Sequence, residues 1–312
     1  LFRRQAFSPT ASDWSADQWF IKLGIIMGVK LGRRIQLRRE VNVSKHSRKS
    51  CGKIDRRLLS DIGVGSSAIF YKTKTDKYGK LNLHISVDAS GSMKVGDKWD
   101  KTMTLIVAIC KAASMVNNLR VIVSFRSTIS VKSTVRVSNL IPPNSMLPYV
   151  VIAYDSNVDK FSKVTSFFSK LCPGGYTPEG LTFDAIQNTL PAISANEQNH
   201  LLIISDGIPC FEHKNEKTGH HTTYDKSSGA IHTKRQYELL KRNGVKGIAY
   251  FIKTPPNAAT SIKLPGTYDN SDAVSTFKLM YGADARFIEV DDVLQISNTL
   301  NALFLDSVDK ND

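Results

Sequence analysis

Asp88, Ser90 and Ser92 stand two residues apart in residues 83–92, Leu-His-Ile-Ser-Val-Asp-Ala-Ser-Gly-Ser. One carboxylate and two hydroxyls at alternate positions converge on a point if the turn stays extended. Oxygen ligands of this kind suit a hard cation: Mg²⁺ takes six oxygens at roughly 2.0–2.1 Å and keeps several waters. Spacing alone also fits an ordinary turn, in which Asp and Ser are common. Two later stretches repeat the theme. Residues 174–180, Gly-Gly-Tyr-Thr-Pro-Glu-Gly, set the hydroxyl of Thr177 in a glycine-rich loop ahead of a helical pattern. Residues 200–207, His-Leu-Leu-Ile-Ile-Ser-Asp-Gly, read as a buried strand ending in Asp206.

These residues need a scaffold that ends strands side by side. Ile85 and Val87 alternate toward one face of a strand at 81–88, and a helical run at 99–117 follows, so Asp88 falls in a strand-to-helix loop. In α/β folds such loops, at the carboxyl edge of a parallel sheet, hold the ligands. Further on, 119–125 is an apolar strand, and Arg126-Ser-Thr predicts a short link to an antiparallel partner at 129–137. Residues 141–155, with Pro142, Pro143 and Pro148, read as irregular. Helical spacing returns at 158–171 and 178–193, followed by a strand at 201–205. A helix at 233–243 stopped by Gly244, a strand at 245–252, a helix through Phe277, a strand at 286–290 and a helix at 293–305 complete the alternation. Strand and helix alternating throughout predict a Rossmann-like three-layer α/β sandwich with a mostly parallel sheet and one antiparallel edge strand.

The three loops in this order resemble the von Willebrand factor A family, whose metal-ion-dependent adhesion site joins D-x-S-x-S, a Thr in a second loop and an Asp ending a later strand. The resemblance implies a metal site of Asp88, Ser90, Ser92, Thr177 and Asp206, holding Mg²⁺ or Mn²⁺. Within the family the chain is similar to the A domains that partner MoxR-type AAA+ ATPases, including the cobalt-chelatase co-subunit. The likeness runs through the basic segment at 52–58, Ile69-Phe70, the core at 87–93 and Thr177-Pro-Glu. Tyr176 departs from the family pattern by separating the Gly pair from Thr177, and predicts a bulge there.

The net charge of +14 is concentrated at the start of the chain: residues 1–80 hold 18 Lys and Arg against 6 acids, the remainder 24 against 22. A basic quarter beside a neutral domain suits an acidic protein surface or nucleic acid, or is simply a solvated face. Residues 1–67 are expected to form a basic helical extension and 68–312 the A-like domain, with insertions at 208–228 and 253–270. A helix over 15–40, with Ser15 as N-cap, would bury Trp19, Phe20, Leu23, Ile26 and Met27 and expose Arg33, Arg34, Arg38 and Arg39 to a partner. A loop at 41–52, a helix at 53–62, and a hairpin of 68–75 with 81–88 across a turn at 76–79 are the remaining expectations.

Phe20 to Val29 is the apolar run nearest to a membrane span, and it is far shorter than the roughly 20 residues required, so no membrane role is expected. Neither a secretory pattern nor a C-x-x-C pair is read among the four cysteines, Cys110 suits a core, and a reducing cytoplasm is the expected setting. Cys210, His213, His220, His221 and His232 fit no standard zinc spacing, so the insertion after Asp206 is expected to be a lid or partner loop. Around the ligand set no His or Lys stands as a general base, which favours binding over hydrolysis. Position 90 is Ser, against the D-x-D opening of aspartyl-phosphate chemistry, and the chain has no G-x-x-x-x-G-K-[ST] nucleotide loop. The expected role is a non-catalytic adaptor of a MoxR-type AAA+ ATPase that captures a carboxylate of the partner or its client. The alternatives are RNA or DNA binding, or a structural assembly role, through the basic segment.

Overall fold

The computed structural model describes residues 19–39, 43–75, 80–130, 146–190, 197–214, 221–224, 226–253 and 270–296. The first elements are α1 (Trp19–Arg39), β1 (Val43–Lys49), β2 (Lys53–Ile54), a 3₁₀ helix at Arg56–Val64 and β3 (Phe70–Thr75). They lead into β4 (Lys80–Asp88), a 3₁₀ segment at Gly91–Asp97, α2 (Lys98–Ala113), β5 (Leu119–Ser130) and β6 (Met146–Asp155). Then come α3 (Ser162–Phe167), α4 (Phe183–Gln187), β7 (Glu197–Ser205), β8 (Phe211–Lys214) and β9 (His221–Tyr224). The last are α5 (Lys226–Arg242), β10 (Lys246–Lys253), α6 (Asn270–Tyr281) and β11 (Ala285–Glu289). Among the described residues no helix is long and apolar enough to cross a membrane.

The main sheet has the order β11-β10-β7-β4-β5-β6 and is parallel except for the antiparallel edge strand β6. Building outward from β4, the chain lays β5 and β6 on one side and then crosses to lay β7, β10 and β11 on the other. Strand order therefore reverses between β4 and β7, where doubly wound folds open a crevice at their carboxyl ends. Leu81, Leu83, Ile85 and Val87 of β4 join Leu105, Ile106 and Ile109 of α2 in one core. The second core, on the opposite face, takes Leu201 and Ile203 of β7 with Phe183, Ile186, Phe251 and Phe277. Both faces are covered, so this is the expected α/β sandwich.

The other face of β4 is polar and equally buried. Asn82 donates to Asn199 Oδ1 at 3.0 Å, and the His84 ring sits 2.7 Å from Ser124 Oγ and 2.8 Å from Thr189 Oγ1. Burial pulls His84 down to about 3, so its ring is a neutral link in this stripe.

Several local expectations are corrected. Residues 43–49, expected as loop, form β1, and 53–62 hold β2 and a 3₁₀ helix. Strand β3 pairs with β1 and β2 in a separate antiparallel sheet and makes no ladder with β4, so the expected hairpin is absent among the described residues. Arg126-Ser-Thr is no turn: β5 runs straight through it and pairs with β6, within the stretch read as irregular. Pro148 lies opposite Thr128 on that strand, and an edge position tolerates its missing N–H. The helices foreseen at 158–171 and 178–193 shrink to α3 and α4 with short 3₁₀ turns, while α5 begins ahead of its expected start. Gly244 ends that segment at φ +79°, as its sequence position implied. Ser15, the 76–79 turn, most of the 253–270 insertion and most of the 293–305 helix lie outside the described residues.

Helix α1 adds a further layer on top of α2, seated on a different face from the one expected. Ile21, Leu31 and Ile35 are buried, whereas Trp19 and Ile26 are 43% and 57% exposed. Gly24, Gly28 and Gly32 decide the seat. A Cβ at Gly24 would meet Thr104 O and Val107 Cβ at 2.8 Å, and one at Gly28 would meet Ala108 O and Lys111 Cβ at 2.5 Å. Glycine at every fourth position lets the two backbones approach closely, a gain that a count of apolar side chains misses. Arg33 and Arg34 are exposed; Arg38 and Arg39 lie in the last turn of α1. Gly28→Ala isolates this contact. On an isolated helix the change favours folding by about 1 kcal/mol. Here the overpacking is expected to win, at about 1–3 kcal/mol, and to lower the urea midpoint. A midpoint equal to or above wild type would show that α1 is not held by its glycine stripe.

Candidate metal centre

Asp88 is the last residue of β4 and is fully buried. Its Oδ1 accepts from the Ser90 N–H at 2.9 Å, which folds the chain back on itself and turns both serines toward the crevice. Ser90 Oγ lies 2.9 Å from Ser92 Oγ, and Ser92 Oγ donates to Asp206 Oδ1 at 2.7 Å. Asp206 follows β7 directly, and Ser205 Oγ donates to Asp88 Oδ2 at 2.9 Å. Thr177 Oγ1 lies 3.4 Å from that same oxygen. All five side chains singled out in the sequence thus meet at the crevice between β4 and β7.

The glycine-rich loop is laced to its neighbours through the backbone. Gly174 N–H donates to Ala89 O at 2.7 Å, Gly91 N–H to Gly175 O at 3.1 Å, and Cys210 N–H to Thr177 O at 3.0 Å. Gly175 has φ +84°, and a Cβ there would sit 2.6 Å from Thr128 O, so this position needs glycine twice over. Tyr176 turns outward at 40% exposure, its N–H held by Thr128 Oγ1 at 2.8 Å, while Thr177 stays inside at 5%.

The donor set fits a hard cation. It contains three hydroxyls and two carboxylates, with no sulfur or imidazole among them. Neighbouring oxygens of an octahedron with bonds of roughly 2.1 Å lie about 3 Å apart, close to the separation of the two serine hydroxyls. Gly207 keeps the space clear: a Cβ there would come within 3.0 Å of Thr177 Oγ1 and 3.5 Å of Asp88 Oδ2.

Charge is managed by residues that the sequence reading missed. Arg126, fully buried, binds Glu179 through Nε at 3.1 Å and through Nη2 at 2.9 and 3.0 Å, and its Nη1 donates to Ser86 O and Ser86 Oγ. Tyr281 OH donates to the same Glu179 carboxylate. Lys98 Nζ pairs with Asp206 Oδ2, a contact that the spacing along the chain did not reveal. In that contact Lys98 serves as a counter-charge to the carboxylate. The Asp88 carboxyl is pushed up to about 7, chiefly by burial and further by Asp206 and Glu179, with Arg126 pulling the other way. The available signal is an arginine that directly continues the apolar run 119–125, which the expected link at 126–128 passes over.

Beyond Asp206, in the insertion expected as a lid or partner loop, β8 and β9 form an antiparallel ribbon anchored by buried Phe211 and Tyr224. His232 Nδ1 is 3.1 Å from Tyr224 OH, and Cys210 bridges to Thr177. His213 and His221 lie on the ribbon, and His220 is outside the described residues. Among the described residues no three His, Cys, Asp or Glu side chains gather as a metal group.

No family model and no curated protein matches the sequence. Solved structures do. The chain is similar to the pilus adhesin SpaC of Lactobacillus rhamnosus GG in its open conformation, at TM-score 0.48 and 11% identity over 76% of this chain. It spans about a third of that protein, 32% of its length. It is also similar to the vWF domain of the type V pili tip protein Mfa5 of Porphyromonas gingivalis, at TM-score 0.49 and 8% identity, covering 75% of this chain and 98% of that one. The SpRpn10 VWA domain is matched at TM-score 0.39 and 11% identity, over 70% and 95% of the two chains. At identities this low, no ligand, partner or activity passes from these proteins to this one.

Proposed function

We propose that this chain is a metal-dependent protein-binding domain in which Ser90, Ser92 and Thr177 hold an Mg²⁺ or Mn²⁺ ion, with Asp88 and Asp206 anchoring it directly or through water. The observation that carries the reading is the meeting of three neutral hydroxyls and two acids where the strand order reverses. When bound, the ion supplies a positive centre that attracts an anionic ligand from outside. The simplest such ligand on a protein is an Asp or Glu carboxylate. Arg126 and Glu179 hold the β5 strand and the Thr177 loop in place, so the hydroxyls are set before any ligand arrives. Tyr176, exposed on that loop, offers the partner an aromatic contact.

In this reading the domain is an adaptor and no enzyme, and energy comes from a MoxR-type AAA+ ATPase in the cytoplasm. The support for that partner is the sequence resemblance through 52–58, 87–93 and 177–179. Arg33 and Arg34, exposed on α1, with Arg38 and Arg39 beyond them, are assigned to the acidic surface of the partner. The same helix exposes Lys22 and Lys30, which favours nucleic acid as a second reading. Salt separates the two, because phosphate contacts weaken steeply as salt rises, whereas a coordinated carboxylate is screened far less. EDTA and Asp206→Ala are expected to release the ATPase. Retention of the ATPase under both conditions would remove the metal bridge from the reading.

Calorimetry tests the site itself. Asp88→Ala is expected to abolish Mn²⁺ binding, and unchanged affinity would place the ion elsewhere. Because Asp88 holds its proton up to about pH 7, metal must displace it: affinity should rise from pH 6 to pH 8, with proton release visible as a dependence of heat on buffer. A flat profile would contradict an anionic Asp88 in the loaded site. Glu179→Gln leaves Arg126 buried without its counter-charge and is expected to cost about 3–5 kcal/mol of stability by urea denaturation. A loss below 1 kcal/mol would mean that the pair does not lock the loop.

A further inference from the structure

Lys98 opens α2, and its side chain is among the largest that are fully buried. An ammonium is poorly placed there on two counts. Burial strips its hydration, and the start of a helix presents the positive end of the dipole. The compensation is Asp206, whose Oδ2 pairs with Lys98 Nζ while Oδ1 accepts from Ser92 Oγ. Both oxygens of the acid that ends the β7 loop are therefore engaged, one of them by a cation belonging to the chain.

We propose that Lys98 is the resident cation of this centre, neutralising Asp206 while no metal is bound and withdrawing when a divalent ion takes that carboxylate. The inference rests on the metal-binding reading above. Two arguments support it. The ammonium and a divalent ion compete for the lone pairs of one carboxylate. They also repel each other, twice as strongly as two single charges would, where water screens little. The route of withdrawal is built in: four methylenes give the side chain reach, and the backbone just ahead of it is kinked, with Gly96 at φ +66° and Asp97 at φ +58°. Metal affinity is then set by the difference between two cations, and the oxygens alone do not determine it.

Two measurements on the full chain test this. Lys98→Met keeps most of the stem and removes the charge. Mn²⁺ should bind the variant about tenfold tighter or more by calorimetry, within the roughly 5- to 150-fold range of typical coupling between sites. In the wild-type chain, Lys98 should resist an amine-acetylating reagent without metal and become modified in saturating Mg²⁺, as read by peptide mass mapping. Equal Mn²⁺ affinity in the two proteins, or a Lys98 that stays protected while metal is bound, overturns the proposal and leaves the metal site standing. If neither protein binds Mn²⁺, the metal-binding reading fails and this inference falls with it. Should Lys98→Met not fold, acetylation of the wild-type chain decides alone.

Discussion

Asp88, Asp206 and Glu179 bring three carboxylates to one buried crevice, where their mutual repulsion and loss of hydration oppose folding unless cations intervene. Arg126 and Lys98 intervene, each paired with one of the carboxylates. Arg126 reaches from β5 to clasp Glu179, and also touches the backbone of β4 and β7 through Ser86 O and Ile204 O. One guanidinium therefore ties three central strands to the glycine-rich loop. The planar fork of arginine suits this task, since it satisfies a carboxylate and several carbonyls at once.

Asp88 is left without a full counter-charge, and its carboxyl answers by holding a proton up to about pH 7. A site of this kind is short of one positive charge. Its uncharged hydroxyls, the space beside Gly207 and the displaced acidity of Asp88 all describe the same deficit. A divalent ion would make good that deficit.

The helical layers transmit order to this point. Helix α2 is buried along most of its length between the sheet and α1, and Lys98 is its first residue. The glycine stripe of α1 allows backbones to touch where side chains would hold them apart. Because α1 covers α2, it helps fix the helix that carries the lysine at the site, even though it lies away from the crevice itself.

Much of this architecture was legible in the residues. Alternating apolar positions marked β4, the run ending at Ser205 marked β7, and D-x-S-x-S marked the turn between β4 and α2, because side-chain period and turn chemistry are local properties. The three loops could be ordered along the chain for the same reason. What the tertiary structure alone decided is what depends on distant partners. Arg126 looked like a turn residue until its ladder with β6 and its clasp on Glu179, 53 residues away, were formed. Lys98 drew no notice in the sequence, because its partner Asp206 stands 108 residues on. Pairing between strands, the seat of a helix and the balance of buried charge are set by which surfaces meet, and spacing along the chain does not carry that information.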